Sequence, residues 1–431
     1  MKFLLNLILY IFFISSSYAE NNLEFFIDSA FKNNLKLNAE RKNNKSTKQN
    51  LNISRSEFLP SISLSGSQSS SQSTNRTNKN GANLADSNLD TEETSISIDQ
   101  KIFQGFKGYN TLKKSELEVK QADFKLQQAE QQTILDTVSA YFDLIFKTQN
   151  EKFNISNINL FERQVESDSA RLQKGEITLT DLAQSESSLA GANAKLIKAK
   201  TELLASKTNF ERVTREKSPN LININEKINI DLPNTLQEAL SIAKLNNSNL
   251  LIAKLDYKIA EKEFNIEKSR LAPSASLNYS KSENKDYSST VDELDQETVK
   301  ATISWPIIKG GENISSIKKS SLKKQKFLLL SKDAENLVIT ETTNAWSKYQ
   351  SSESVLKATE SQLKAAEIAN EGITLEYDSG NTRTTLEVIQ SRSLLLDSRI
   401  AFAKAERDFM ISQVQLAFQL GTLSTKSIKP L

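Results

Sequence analysis

Leu59-Pro60-Ser61-Ile62-Ser63-Leu64 recurs 213 positions later as Ala272-Pro273-Ser274-Ala275-Ser276-Leu277. The same offset carries Ala30, Asn33 and Asn34 onto Ala243, Asn246 and Asn247. Further on, Ile98-Asp99-Gln100-Lys101-Ile102-Phe103-Gln104-Gly105 maps onto Ile303-Ser304-Trp305-Pro306-Ile307-Ile308-Lys309-Gly310 at 205, an offset that Gly175 and Gly380 keep. Leu182-Ala183-Gln184-Ser185 answers Val388-Ile389-Gln390-Ser391 at 206. An offset that drifts at only two places marks one duplicated unit with length changes in its loops. The larger change falls between two extended segments, where a hairpin tip tolerates it.

Those extended segments alternate with period two. Ile62, Leu64 and Gly66 alternate with Ser61, Ser63 and Ser65; Val299, Ala301, Ile303 and Trp305 alternate with Lys300, Thr302 and Ser304. An apolar face opposite a polar one suits a half-buried strand of a soluble sheet, or a membrane barrel with lipid outside and water inside. In the barrel, Ile303 and Trp305 face lipid while Thr302 and Ser304 face the lumen. The polar stretches Ser67 to Asp90 and Lys281 to Glu297 read as solvated loops.

The glycine pairs set a length: 70 residues separate Gly105 from Gly175, and 70 separate Gly310 from Gly380. No proline interrupts either interval, so each admits one helix of ~100 Å at ~1.5 Å per residue. About 22 residues before the first strand and about 36 after the first tip are enough to stack end to end beside it. Leu117, Phe124, Ile134, Val138, Tyr141 and Ile145 recur at threes, fours and sevens, as helix-packing seams do. Each half thus runs short helix, helix, strand, loop, strand, long helix, turn, helix. Four strands per chain cannot close a barrel, and open edges in lipid are prohibitive. Three chains supply twelve, so closure demands an oligomer.

Composition excludes much else. The 431 residues carry 55 Lys+Arg against 53 Asp+Glu and contain neither His nor Cys. Zinc, haem, iron–sulfur and thiol chemistries lose their commonest ligands or nucleophile, and no disulfide can form. A net charge of +2 supplies no bulk reason to expect nucleic acid. Lys2, the mainly apolar Phe3 to Ile14 and the small-x-small Ser17-Tyr18-Ala19 read as an export signal over 1–19. Beyond it, no apolar run reaches the ~18–20 residues of a spanning helix, so any spanning is left to strands.

From Leu23 to Gly421 the chain resembles the TolC family of outer-membrane efflux and secretion channels. The resemblance is carried by Leu59-Pro60-Ser61 and Ala272-Pro273-Ser274, by Phe103-Gln104-Gly105, and by Ala140-Tyr141-Phe142-Asp143-Leu144. The tip motifs are Lys174-Gly175-Glu176-Ile177-Thr178-Leu179-Thr180-Asp181-Leu182 and the stretch from Tyr377 to Val388. It implies a mainly α protein with a membrane β part: a homotrimer whose 12-stranded β-barrel is continuous with a long antiparallel coiled-coil α-helical barrel. It places that trimer in the outer membrane lipid of a Gram-negative bacterium, extending into the periplasm. Partners are then a periplasmic adaptor and an inner-membrane efflux pump or ABC exporter, with no cofactor and no nucleic acid. The segments become a signal peptide (1–19), a first repeat (20–217), an equatorial linker (218–234), a second repeat (235–421) and a tail (422–431).

Matched position by position, the resemblance implies a periplasmic gate of Thr180, Asp181, Tyr377 and Arg383. Glu387 and Gln390 then line the constriction, Gln390 standing where the family carries a second acid. Gly175 and Gly380 form the hairpin-tip turns and adaptor contact, although the family's usual Val-Gly-Leu tips are altered on both sides. The residues alone favour plainer roles. Thr178-x-x-Asp181 and Thr384-x-x-Glu387 fit capping boxes, and Arg383 and Glu387 are spaced to pair on one helix face. A residue that caps a helix also lines a mouth without contradiction. Two other classes compete with the channel: a periplasmic coiled-coil scaffold or adaptor without a pore, and an exported enzyme. The scaffold leaves two lipid-compatible hairpins unexplained; the enzyme lacks a convincing carboxylate pair in one concave motif.

Overall fold

The structure, a computed structural model, describes residues 22–219, 222–379 and 383–430. The export signal and Gly380 lie outside the described residues. In chain order come α1 (Leu23–Asn33), α2 (Leu35–Ser56), β1 (Ser61–Ser73), the short β2 (Arg76–Thr77) and β3 (Asn83–Leu84), β4 (Ser87–Gln104), α3 (Lys107–Gln173) and α4 (Leu179–Thr214). Then follow β5 (Ile228–Asn229), α5 (Leu236–Asn246), α6 (Ser248–Lys268), β6 (Ser274–Lys285), β7 (Leu294–Ser304), α7 (Glu312–Asp378), α8 (Thr385–Leu420) and β8 (Lys429–Pro430), which pairs with β5. The duplication holds for the helices and the long strands, though not for the short β2–β3 pair: α3 and α7 both have 67 residues, α4 and α8 both 36.

Local chemistry explains the repeated breaks. Asn34 and Asn247 each end a short helix and start the next. Their backbone N–H groups reach Ala30 and Ala243, while their side-chain oxygens accept from the N–H of Leu37 and Leu250, both at 3.2 Å. Asparagine suits such a break because its short side chain caps helix N-termini well.

Residues 42–124 and 252–333 form one compact unit. Its sheet has the order β1-β4-β6-β7, antiparallel throughout, so the two repeats meet at β4–β6. The register aligns Ile62, Ile98, Tyr279 and Val299 in one row, and a neighbouring row joins Leu277 to Ala301. These residues share one face. The other carries serines bonded across the strands, Ser63 to Ser97 at 2.7 Å and Ser65 to Ser95 at 2.9 Å. Gly105, at φ +56°, turns β4 into α3 where a Cβ would overlap Ala272 and the Ser269 carbonyl.

Two expectations about the strands change. The polar stretches read as loops are largely strand: β1 runs on to Ser73, β4 begins at Ser87, and β6 and β7 are separated only by residues 286–293. Pairing across the ladder, rather than side-chain polarity, decides where an antiparallel strand continues. Trp305 lies just past β7, with Pro306 behind it; its indole N–H donates to the Leu271 carbonyl at 3.0 Å. Proline cannot donate to a ladder, and the strand stops there.

The second unit holds the described residues up to 41, residues 125–251 and those from 334 onward. Its main core gathers Phe26 of α1, Ile134, Val138, Tyr141 and Ile145 of α3, Phe210 of α4 and Val414 of α8, all buried. These are four of the six α3 residues expected as the seam; Leu117 and Phe124, in the other unit, are only half-buried. A second cluster holds Ala239, Leu250, Trp346 and Leu416. At the repeat offsets Ala239 stands for Phe26 and Trp346 for Tyr141, so the two cores occupy equivalent places with different side chains.

Candidate functional site

The first helical hairpin of this unit turns through a short, hydrogen-bonded tip, and the second helix of each hairpin opens on a capping box. At that tip, Gly175 has φ +74°, a conformation that favours glycine. Its N–H donates to the Leu172 carbonyl at 2.9 Å, and the Glu176 N–H donates to the Arg171 carbonyl at 3.0 Å, the two bonds of a Schellman ending. Helix α4 then opens on a capping box. The Thr178 N–H and hydroxyl donate to Asp181 Oδ2 at 2.9 and 2.7 Å, and the Asp181 N–H returns to Thr178 Oγ1 at 3.3 Å. The Thr178 N–H holds the Asp181 carboxyl below its ordinary value. Thr180 stands exposed beside it.

The start of α8 repeats the capping box. The Thr384 N–H donates to Glu387 Oε2 at 2.8 Å, and the Glu387 N–H to Thr384 Oγ1 at 3.3 Å. Arg383 bridges two carboxylates of its own hairpin, donating from Nε to Glu376 Oε2 at 2.6 Å and from Nη1 to Glu387 Oε1 at 3.0 Å. The Thr384 N–H, then Arg383, hold the Glu387 carboxyl below its ordinary value. Gln390 is exposed on α8. Within one chain, then, Asp181 and Arg383 do not meet: each is engaged on its own hairpin.

Tyr377 is the exception among the expected gate residues, because it is buried and joins the hairpins. Its hydroxyl donates to Asp168 Oδ1 on α3 at 2.8 Å and lies 3.1 Å from Thr385 Oγ1. Asp168 is fully buried and also accepts from Gln164 at 2.9 Å and from Ser185. The Arg171 guanidinium lies 4.6 Å from the Tyr377 ring centroid. Burial pushes the Tyr377 phenol up, so it remains a donor at neutral pH. Arg392, on α8, donates to the Leu160 carbonyl of α3 at 3.1 Å; burial pushes its guanidinium down, against the fields of Asp378 and Asp168. A buried carboxylate with three donors from three helices is a strong clamp.

Reasoning from the sequence passed over Gln164, Asp168, Ser185 and Arg392. The duplication held a signal for them. At the repeat offsets Asp168 faces Ile373, Gln164 faces Ala369 and Tyr377 faces Leu172: at these three clamp positions one copy is polar or aromatic where the other is aliphatic.

A sheet with one apolar face, joined in sequence to paired helical hairpins whose tips are capped and clamped, defines an envelope protein anchored by strands. The chain belongs to the outer membrane efflux protein family, whose model matches residues 26–214 and 239–422, one pass per repeat. It is similar to the outer membrane efflux protein BepC of Brucella suis, 25% identical over 93% of this chain and 85% of that protein. It is also similar to TolC of Escherichia coli, 23% identical over 96% of this chain and 85% of the relative. Among solved structures, the Campylobacter jejuni CmeC outer membrane channel superposes with a TM-score of 0.83 at 17% identity, covering 94% of this chain and 88% of that one. The open Neisseria gonorrhoeae MtrE channel superposes at 0.75 and 14% identity, covering 93% and 88%. This is therefore a TolC-type outer-membrane efflux channel protein of Gram-negative bacteria, a transport protein rather than an enzyme. The scaffold alternative falls, because the family match runs through both strand hairpins.

Proposed function

We propose that three copies of this chain close into a 12-stranded barrel and serve as the exit duct of a tripartite efflux pump or type I secretion system. Drugs, small molecules or proteins would pass through it. The observation that carries the reading is the sheet: four strands, an apolar face, and edges β1 and β7 without partners among the described residues. Lipid leaves no water to satisfy such edges, and a closed ring of chains removes them. The partners follow as a periplasmic adaptor seated on the tips at Gly175 and Gly380, and an inner-membrane pump or ABC exporter beyond it.

In the same proposal, Thr180 and Asp181 of one protomer meet Arg383 of the next to narrow the mouth, with Glu387 and Gln390 lining it. Arg383 and Asp181 remain solvent-accessible while bound to their own hairpins, which leaves both open to a second partner. Tyr377 contributes from within, by holding the two hairpins of one chain together. The mass of the detergent-solubilised protein tests the assembly: a trimer is expected, and a folded monomer in lipid would rule the architecture out.

A further inference from the structure

Where the sheet joins the helices of its own unit, a cavity of about 350 Å³ is lined by four cations, Lys101, Lys107, Arg270 and Lys309. No carboxylate is among its lining residues. Arg270 is partly neutralised from outside by Glu267 at 2.8 Å and Glu312 at 3.4 Å, and Lys309 lies 3.8 Å from Glu312. Lys101 and Lys107 have no ion-pair partner among the described residues, and both are exposed. The nearest acid along the strand, Asp99, already accepts from Asn278 at 2.8 Å. The concentration is local, since the chain as a whole carries only +2.

The strand register decides which way the cavity opens. Lys101 pairs with Ser276 and Gln104 with Ser274, and all four line the cavity. Lys101 lies on the same face as Ser97 and Ser95, opposite the row of Ile98, Tyr279 and Val299. An irregularity between Lys101 and Phe103 keeps Phe103 on the apolar side while Lys101 stays on the polar one. A lipid headgroup would need cations on the lipid side of the wall; the register puts Lys101 on the other side, with Phe103 and Ala275 of the apolar face closing the cavity's far edge.

We propose that this cavity is an anion site on the water-facing side of the channel, which binds a carboxylate or phosphate group of the transported cargo. Lys101 and Lys107, which border an adjoining groove with Glu57 but form no ion pair among the described residues, supply the available charge, Arg270 and Lys309 the second wall, and Gln104 and Asn313 neutral donors. Rings of Lys and Arg select anions in other pores by the same electrostatics. The proposal rests on the reading that the sheet closes into a water-filled barrel.

Citrate serves as the probe, on the full-length protein. Titration calorimetry of the detergent-solubilised protein should show saturable citrate binding that Lys101→Gln/Lys107→Gln weakens about tenfold, the loss expected when charge-assisted contacts go. Lys318→Gln/Lys319→Gln, on exposed lysines of α7 outside the cavity, should bind as the parent does. In planar bilayers, citrate added on the side of the strand hairpins should reduce the current, and the cavity variant should need about tenfold more. No binding by the parent, or equal losses in both variants, overturns the site. Binding without any block of a conducting channel overturns the cargo assignment and returns the cavity to lipid or bulk phosphate. A parent that binds citrate but never conducts refutes the channel reading alone, because the calorimetry stands without it.

Discussion

Asp168 and Tyr377 show how one buried contact links two hairpins. Tyr377→Phe removes a donor from a fully buried carboxylate, a loss of about 1–3 kcal/mol. Amide hydrogen exchange should show that much less protection around 164–185 and 377–392, and unchanged protection would refute the clamp. The exposed residues test the mouth instead. If Asp181 and Arg383 link protomers, Arg383→Ala and Asp181→Ala should each raise single-channel conductance while the trimer stays intact. Were Glu387→Ala to reproduce Arg383→Ala while Asp181→Ala did nothing, Arg383 would serve only its own turn. The capping carboxylates also fix a pH direction. Both sit below their ordinary values of 3.8 and 4.5. Their contribution is therefore complete above those values and is lost as pH falls through the lowered folded ones. The starts of α4 and α8 should fray on acidification below that range and not between neutral pH and 5, as exchange at the 178–182 and 384–388 amides would reveal.

Among elements, β7 offers the clearest contrast. Val299 lies mid-strand, is 70% exposed and is on the apolar face; Ile303 is one residue from the strand's end. A cation at the bilayer midplane costs ~2–4 kcal/mol, falling to ~0–1 near the interface. Val299→Arg should thus impair membrane assembly more than Ile303→Arg, and Thr298→Arg, on the polar face, should be tolerated. Equal yields of assembled protein from Val299→Arg and Thr298→Arg would contradict the assignment of faces. A different contact governs the core. Tyr141 is fully buried and donates to Glu226, whose other oxygen accepts from the Leu23 N–H at 2.9 Å at the start of α1. Burial pushes the Tyr141 phenol far up, so it stays a donor throughout the physiological range.

For the whole molecule, the absence of cysteine makes assembly directly testable. Single cysteines placed along β1 and β7, the two edges, should form disulfides between chains when one pair falls in register. Non-reducing gels should then show a ladder ending at three chains. A ladder running past three, or one confined to two, would refute closure by three copies.

The duplication determined most of this protein by itself. Offsets repeated over nearly the whole chain dictated two copies of each element, and the glycine spacing dictated paired 67-residue helices, because periodicity and turn chemistry are local properties of sequence. The capping boxes were legible for the same reason, as was the seam of Ile134, Val138, Tyr141 and Ile145. Strand ends were not: β1 continues through serines and glutamines because β4 lies opposite, and a partner strand leaves no mark on the strand it extends. Nor was the clamp. Gln164, Asp168, Ser185 and Tyr377 are scattered over more than 200 positions, and only the packing of α3 and α4 against α7 brings their donors to one carboxylate. The same holds for Lys101, Lys107, Arg270 and Lys309, ordinary surface charges in the sequence, whose field arises from how the sheet meets its helices.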